Sequence, residues 1–202
     1  MALLFAKNNS LSAVTALPAS ISGGGLNLIS TQTASSSATI DFTSGIDSTY
    51  KQYIFKIINI QPATDGVILG LNFSSDGGSN YNVTKTTTFF RAFHSESASD
   101  SYSFGYVDAQ DLAQSTGDQN IAWNIGNGSD EASSSTIELF NPSDTTFVKH
   151  FLVRTNDYTA GNGSGDRFIA GYCNTTSAIN GVRFQWSSGN IASATIKLYG
   201  VT

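Results

Sequence analysis

One cysteine, three prolines, one methionine and two histidines are all that this chain of 202 residues holds of four distinctive residue types. The lone thiol, Cys173, excludes an internal disulfide. Charge is also scarce: Asp, Glu, Lys and Arg make up 12% of the chain, and the ten basic residues are scattered singly within a net charge of -5. Nucleic-acid backbones are held by clustered Lys and Arg, so no nucleic-acid partner is expected. No apolar run approaches the about 20 residues of a membrane helix, so no membrane partner is expected either. The opening Met1-Ala-Leu-Leu-Phe-Ala is apolar but lacks a basic n-region and a full h-region, which argues against a signal peptide.

What the chain does have is strand and turn chemistry. It is 40% hydrophobic and 11% aromatic with 19 glycines, and Ser, Thr and Asn supply the solvation that charges usually supply. Those polar residues favour turns and edges over helix interiors, while Ile, Val, Phe, Tyr and Thr favour strands. The length suits one sandwich domain able to bury its own core without staples. The fold expected is all-β, a jelly-roll-like antiparallel β-sandwich with an extended N-terminal arm.

Periodicity divides the chain into two parts. Residues 1–25 form an apolar tip (Met1, Leu3, Leu4, Phe5), a polar stretch, a weakly alternating run with Pro18, and the joint Gly23-Gly24-Gly25. They are read as a partner-binding arm with a glycine hinge, or as one additional strand followed by a loop. Residues 26–202 form the sandwich domain. Within it, 26–31 and 38–42 are expected to pair, and 51–60 to be a central strand ended by Pro62. Residues 66–73 and 81–93 are expected to flank a hairpin loop at 74–80. Residues 94–118 are poorly patterned, with a short helix at 108–114. Strands at 119–125, 136–140, 147–154 and 168–173 follow, with a Gly-rich loop over 156–165. In the closing segment Val182, Phe184 and Trp186, then Ala194, Ile196 and Leu198, alternate around a Ser-Gly-Asn turn, which predicts a terminal hairpin.

Catalytic chemistry finds little purchase. Nucleophilic catalysis needs a base against Ser, Cys or Thr, and the two histidines offer none: His94 reads as part of a solvated loop and His150 as a strand residue. No G-x-S-x-G, H-E-x-x-H, P-loop or dinucleotide fingerprint occurs. Asp108 with Asp111, Asp130 with Glu131, and Asp157 with Asp166 are the carboxylate pairs a glycosidase would use. Asp76 and Asn80, and Asp157 with Asp166, also offer hard oxygens of the kind calcium takes, though neither group matches an EF-hand loop. Turn chemistry explains the same residues, so no metal and no cofactor is assigned. Cys173 is read as a small core residue. Trp123 and Trp186 lie in strand patterns and are assigned to the core rather than to sugar-stacking platforms.

Several segments together carry a family likeness: Phe42-Thr-Ser-Gly-Ile-Asp-Ser-Thr-Tyr-Lys51, Tyr53-Ile-Phe-Lys56, Asn59-Ile-Gln-Pro-Ala-Thr-Asp65, Phe147-Val-Lys-His150, Ala170-Gly-Tyr172, and Ser188-Gly-Asn-Ile191 with Leu198-Tyr-Gly200. Over residues 26–202 the chain resembles small virion structural proteins of tailed bacteriophages of the marine and cyanobacterial type, and its ending is similar to that of tail-fibre-like chains. The resemblance implies a jelly-roll module, commonly trimeric, on the outer surface of the phage particle and made in the host cytoplasm. It brings no catalytic residues with it. The function expected is a non-enzymatic capsid decoration or cement protein, a homotrimer bound to the major capsid protein or to other virion proteins. The alternative is a tail-fibre or receptor-binding module that recognises a host surface glycan.

Overall fold

Alternation governs most of this molecule, and β9 shows it plainly: in K-H-F-L-V-R-T-N-D-Y-T every other side chain is buried along the whole strand. The computed structural model describes residues 25–97 and 102–202. The expected arm, Gly25 excepted, lies outside the described residues, and with it Met1, Leu3, Leu4 and Phe5. Twelve strands follow: β1 (Leu26–Ser37), β2 (Thr39–Phe42), β3 (Gln52–Pro62), β4 (Val67–Ser74), β5 (Lys85–Ser95), β6 (Tyr102–Tyr106), β7 (Gln119–Ile125), β8 (Ser133–Phe140), β9 (Lys149–Thr159), β10 (Gly163–Cys173), β11 (Gly181–Trp186) and β12 (Ile191–Val201). Among the described residues no helix is long and apolar enough to cross a membrane.

The pairing runs in reverse order along the chain. β1 pairs with β12, β2 with β11, β3 with β8 and β4 with β7, all antiparallel. β12 also pairs with β3, and β11 with β4. One continuous twelve-stranded sheet folds over into two layers, whose four-stranded sheets β1-β12-β3-β8 and β2-β11-β4-β7 show the wrapping of a jelly roll. Two inserted hairpins, β5–β6 and β9–β10, widen the first sheet alone: β9 pairs with β8, β10 with β9, β5 with β10 and β6 with β5. That sheet therefore runs to eight strands. At the join, β7 meets β9 through a single pair, Ile125 with Thr159.

The inward faces of the two sheets make the core. Tyr53, Phe55, Leu69, Leu71, Phe73 and Phe184 are fully buried, and Phe42, Phe55 and Phe184 meet edge to face with centroids 5.3–6.4 Å apart. Burying one such side chain stabilises by about 1.5–3 kcal/mol.

The structure corrects several local expectations. The closing segment is not a hairpin: β11 and β12 belong to opposite sheets, and the turn at Gly189 (φ 72°) carries the chain between them. A Cβ at Gly189 would collide with Thr64. The expected pair 26–31 and 38–42 is likewise a switch of sheets, and the loop after β4 leads to a strand that pairs with β10. The reason is common to all three. Alternation specifies a buried face, and in a sandwich both sheets present the same alternation to the same core. The residues 156–165 taken for a loop are mostly strand, turned tightly at Asn162 (φ 52°). The helix expected at 108–114 is a single 3₁₀ turn over Asp108–Gln110. In β3, a bulge with Asn59 at φ 48° turns Ile60 inward with Tyr53, Phe55 and Ile57, whereas simple alternation puts it with Ile54 and Ile58.

Candidate functional site

The eight-stranded sheet has an outer face turned away from the core, and strand register lays out its side chains in rows. One row reads Lys197, Lys56, Thr136, Arg154, Phe168, Phe90, each opposite the next on the neighbouring strand. At the usual inter-strand spacing that row spans about 24 Å. The next row reads Tyr199, Ile54, Glu138, Leu152, Ala170. Ile54 apart, these side chains floor a broad groove of about 980 Å³.

The apolar content of this face is unusual. Among the described residues, every large exposed apolar side chain except Phe147 belongs to it by register: Leu26 and Leu28 at the β1 edge, Ile58 and Leu152 at the centre, and Phe90, Tyr102, Phe104 and Tyr106 at the β6 edge. The aromatic end is ordered by ring contacts. Phe90 lies parallel to Phe168 at 4.8 Å and meets Phe104 edge-on at 6.2 Å. The Arg154 guanidinium sits 4.8 Å over Phe168 and forks onto Asp166 at 3.2 and 2.9 Å. Elsewhere Lys56 donates to Thr136 at 2.9 Å, and Gln52 to Glu138 at 2.7 Å. Such a surface can bury apolar area against a partner and fix its register with a few charges.

The expected site residues do not converge. Asp76 and Asn80 share one exposed turn, where Asp76 accepts from Asn80 Nδ2 at 2.7 Å, Asn80 N at 2.9 Å and Ser74 Oγ at 2.7 Å. Those bonds, the one from the Asn80 side chain first, lower its carboxyl to about 2. Asp157 and Asp166, placed on one loop by sequence reasoning, are strand residues on opposite faces of the β9–β10 hairpin. Asp166 is bound to Arg154. Asp157 is buried against Arg167, accepting at 2.9 and 3.1 Å from Nε and Nη2. Burial raises the Asp157 carboxyl against the pull of that arginine. Of the other carboxylate pairs, Asp111 accepts from the Tyr106 hydroxyl and Glu131 caps the Gly128 N–H at 2.5 Å.

Nor do the elements of a triad meet. His94 lies opposite Ser164 on β10 and His150 opposite Tyr172, which separates the two by about 27 Å along that strand. Cys173 is buried between Lys85 and Lys149 on the flanking strands, and its burial pushes the thiol up to about 12, far from a reactive thiolate. Lys85, itself fully buried, donates to Asn72 Oδ1 at 2.7 Å and to the Val83 carbonyl at 2.8 Å, and burial brings it down to about 8.

Sequence reasoning missed both that outer face and a second feature. Trp186 is core as expected, but Trp123 is only half-buried and stands beside Arg91 and Arg167. The signal was in the strands: Arg91 lies between the inward positions of Phe89 and Phe93, and Arg167 between those of Gly165 and Ile169. No protein-family model matches this chain, and no curated protein matches it.

Proposed function

We propose that this protein is a non-enzymatic structural component of a tailed-phage virion, a decoration or cement protein bound to the outer shell. The outer face of the eight-stranded sheet carries this reading, since it gathers nearly all the large exposed apolar side chains of the described residues on one broad surface. Exposed apolar side chains gathered on one face, with a few charges among them, suit a docking surface. The jelly roll itself is common to capsid and lectin domains, so it supports the class by analogy. The carboxylates held by arginines and the separated histidines also favour a binding role over a hydrolytic one.

In this role the protein works as a homotrimer on the particle exterior, with the major capsid protein or another virion protein beneath it. Weak contacts summed over three copies give tight attachment. The arm at residues 1–21 adds a second anchor. Imaging particles made with and without the gene tests the reading: extra density over the shell supports it, and absence of the chain from purified particles overturns it. Density confined to the tail tip would favour the second reading, a receptor-binding module for a host glycan. One observation speaks for that alternative, an open pocket walled by Trp123 and two arginines.

A further inference from the structure

Behind the outer face, where the inserted hairpins extend past the edge of β7, the inner side of the sheet opens into a pocket of about 390 Å³. Its walls are Arg91 and Phe93 from β5, Arg167 from β10, and Trp123 from β7, with Ser103, Asn124 and Thr159 at the margin. Arg91 and Arg167 are direct cross-strand neighbours. Like charges placed opposite each other on one sheet face destabilise it, so this arrangement is costly unless something negative lies between them. Asp157 compensates one charge only. It takes Nε and Nη2 of Arg167, while the buried Nη1 has no hydrogen-bond partner. The Arg91 side chain makes no hydrogen bond or ion pair among the described residues. Its contacts are the faces of Trp123 at 4.7 Å and Phe93 at 5.9 Å. Desolvation first, and Arg167 second, hold its pKa below the ordinary arginine value.

We infer that this pocket binds an acidic sugar, with the carboxylate of a hexuronate-type ring between Arg91 and Arg167. Two guanidiniums against one carboxylate leave a single positive charge, which matches a carboxylate better than a phosphate dianion. The volume exceeds what a bare anion needs and suits one sugar ring. The aromatic walls of Trp123 and Phe93 offer apolar faces for the ring's C–H groups, and Ser103, Asn124 and Thr159 offer hydrogen bonds for hydroxyls. The buried Asp157–Arg167 pair holds the second guanidinium in place, and it packs over Gly165, where a Cβ would collide with both side chains. This site does not depend on whether the protein sits on shell or tail.

The test is a titration of the intact protein followed by the two indole N–H resonances, those of Trp123 and Trp186. Glucuronate and galacturonate should shift the Trp123 resonance and leave that of buried Trp186 in place. Glucose, galactose and inorganic phosphate should shift neither. Arg91→Gln should weaken the uronates about tenfold, as loss of a charge-assisted contact predicts, whereas Arg91→Lys should retain part of the binding and confirms that the fold tolerates change there. Silence of Trp123 toward both uronates overturns the inference. So does phosphate binding as tightly as uronate, which would mean a bare anion pocket, or response to an acidic peptide but to neither sugar. Equal loss in the Gln and Lys variants would also overturn it, because the charge would then not be what binds.

Discussion

Two Arg–Asp pairs lie back to back on the β9–β10 hairpin. Arg154 and Asp166 face outward, with side chains 66% and 30% exposed, while Arg167 and Asp157 face inward at 1% and 0%. Both are forked, both join the same two strands, and their ring partners are Phe168 and Trp123 respectively. Burial alone separates them. In water a pair gains little, because solvent screens it and two long side chains lose freedom. Inside, neither charge can be left alone, so the pair becomes a fixed part of the structure. It also fastens the two sheets, for Arg167 Nη2 donates to the Trp123 carbonyl at 3.4 Å and Asp157 accepts from the Trp123 backbone N–H at 3.4 Å.

Breaking the inner pair should have the largest effect. Asp157→Ala strands a buried guanidinium and should cost about 3–5 kcal/mol in urea unfolding; a cost below 1 kcal/mol would mean that water reaches the pair. A buried charge without a carboxylate partner sharpens the contrast. Lys85 is held at about 8 when folded against 10.5 ordinarily. Between those values the unfolded chain keeps a proton that the folded chain has lost, so stability should rise with pH across that window, by about 3 kcal/mol in all. Below pH 8 both states are protonated and the burial penalty is fully present. Lys85→Met should flatten the slope, and an unchanged slope would assign it to another group.

Gly165→Ala should cost about 1–3 kcal/mol, because its Cβ meets the inner pair and forces it aside. Removing Asp166 by Asp166→Asn should change stability by less than about 1 kcal/mol, and by less still at high salt. If this last variant matched Asp157→Ala, burial would not be what distinguishes the two pairs.

The sequence was legible where one residue determines one outcome. Alternation placed β7 to the residue and β3 nearly so, and the weight of Ser, Thr, Asn and Gly beside Ile, Val, Phe and Tyr pointed to the all-β class. It failed where a partner had to be chosen. Val182, Phe184 and Trp186 announce a strand with a buried face, yet nothing in them says that Leu69, Leu71 and Phe73 lie alongside rather than Ile196 and Leu198. β6 was missed although Tyr102, Phe104 and Tyr106 alternate, since its aromatics face outward and look like no buried stripe. Asp157 and Asp166 were placed together because Asn, Gly and Ser around them suggest a loop. Extended strand at those positions sends them to opposite faces, and both calcium ligation and paired-carboxylate chemistry lose their geometry there.

The two inserted hairpins are unequal. β9–β10 leans on β8, a strand of the roll itself, but the one strand outside its own hairpin that β5–β6 pairs with is β10. The first addition stands without the second, and the second has no seat without the first. The pairing thus sets a one-way dependence between the two hairpins. An engineer trimming the molecule toward a bare eight-stranded roll should remove residues 85–106 before touching 149–173, and never the reverse.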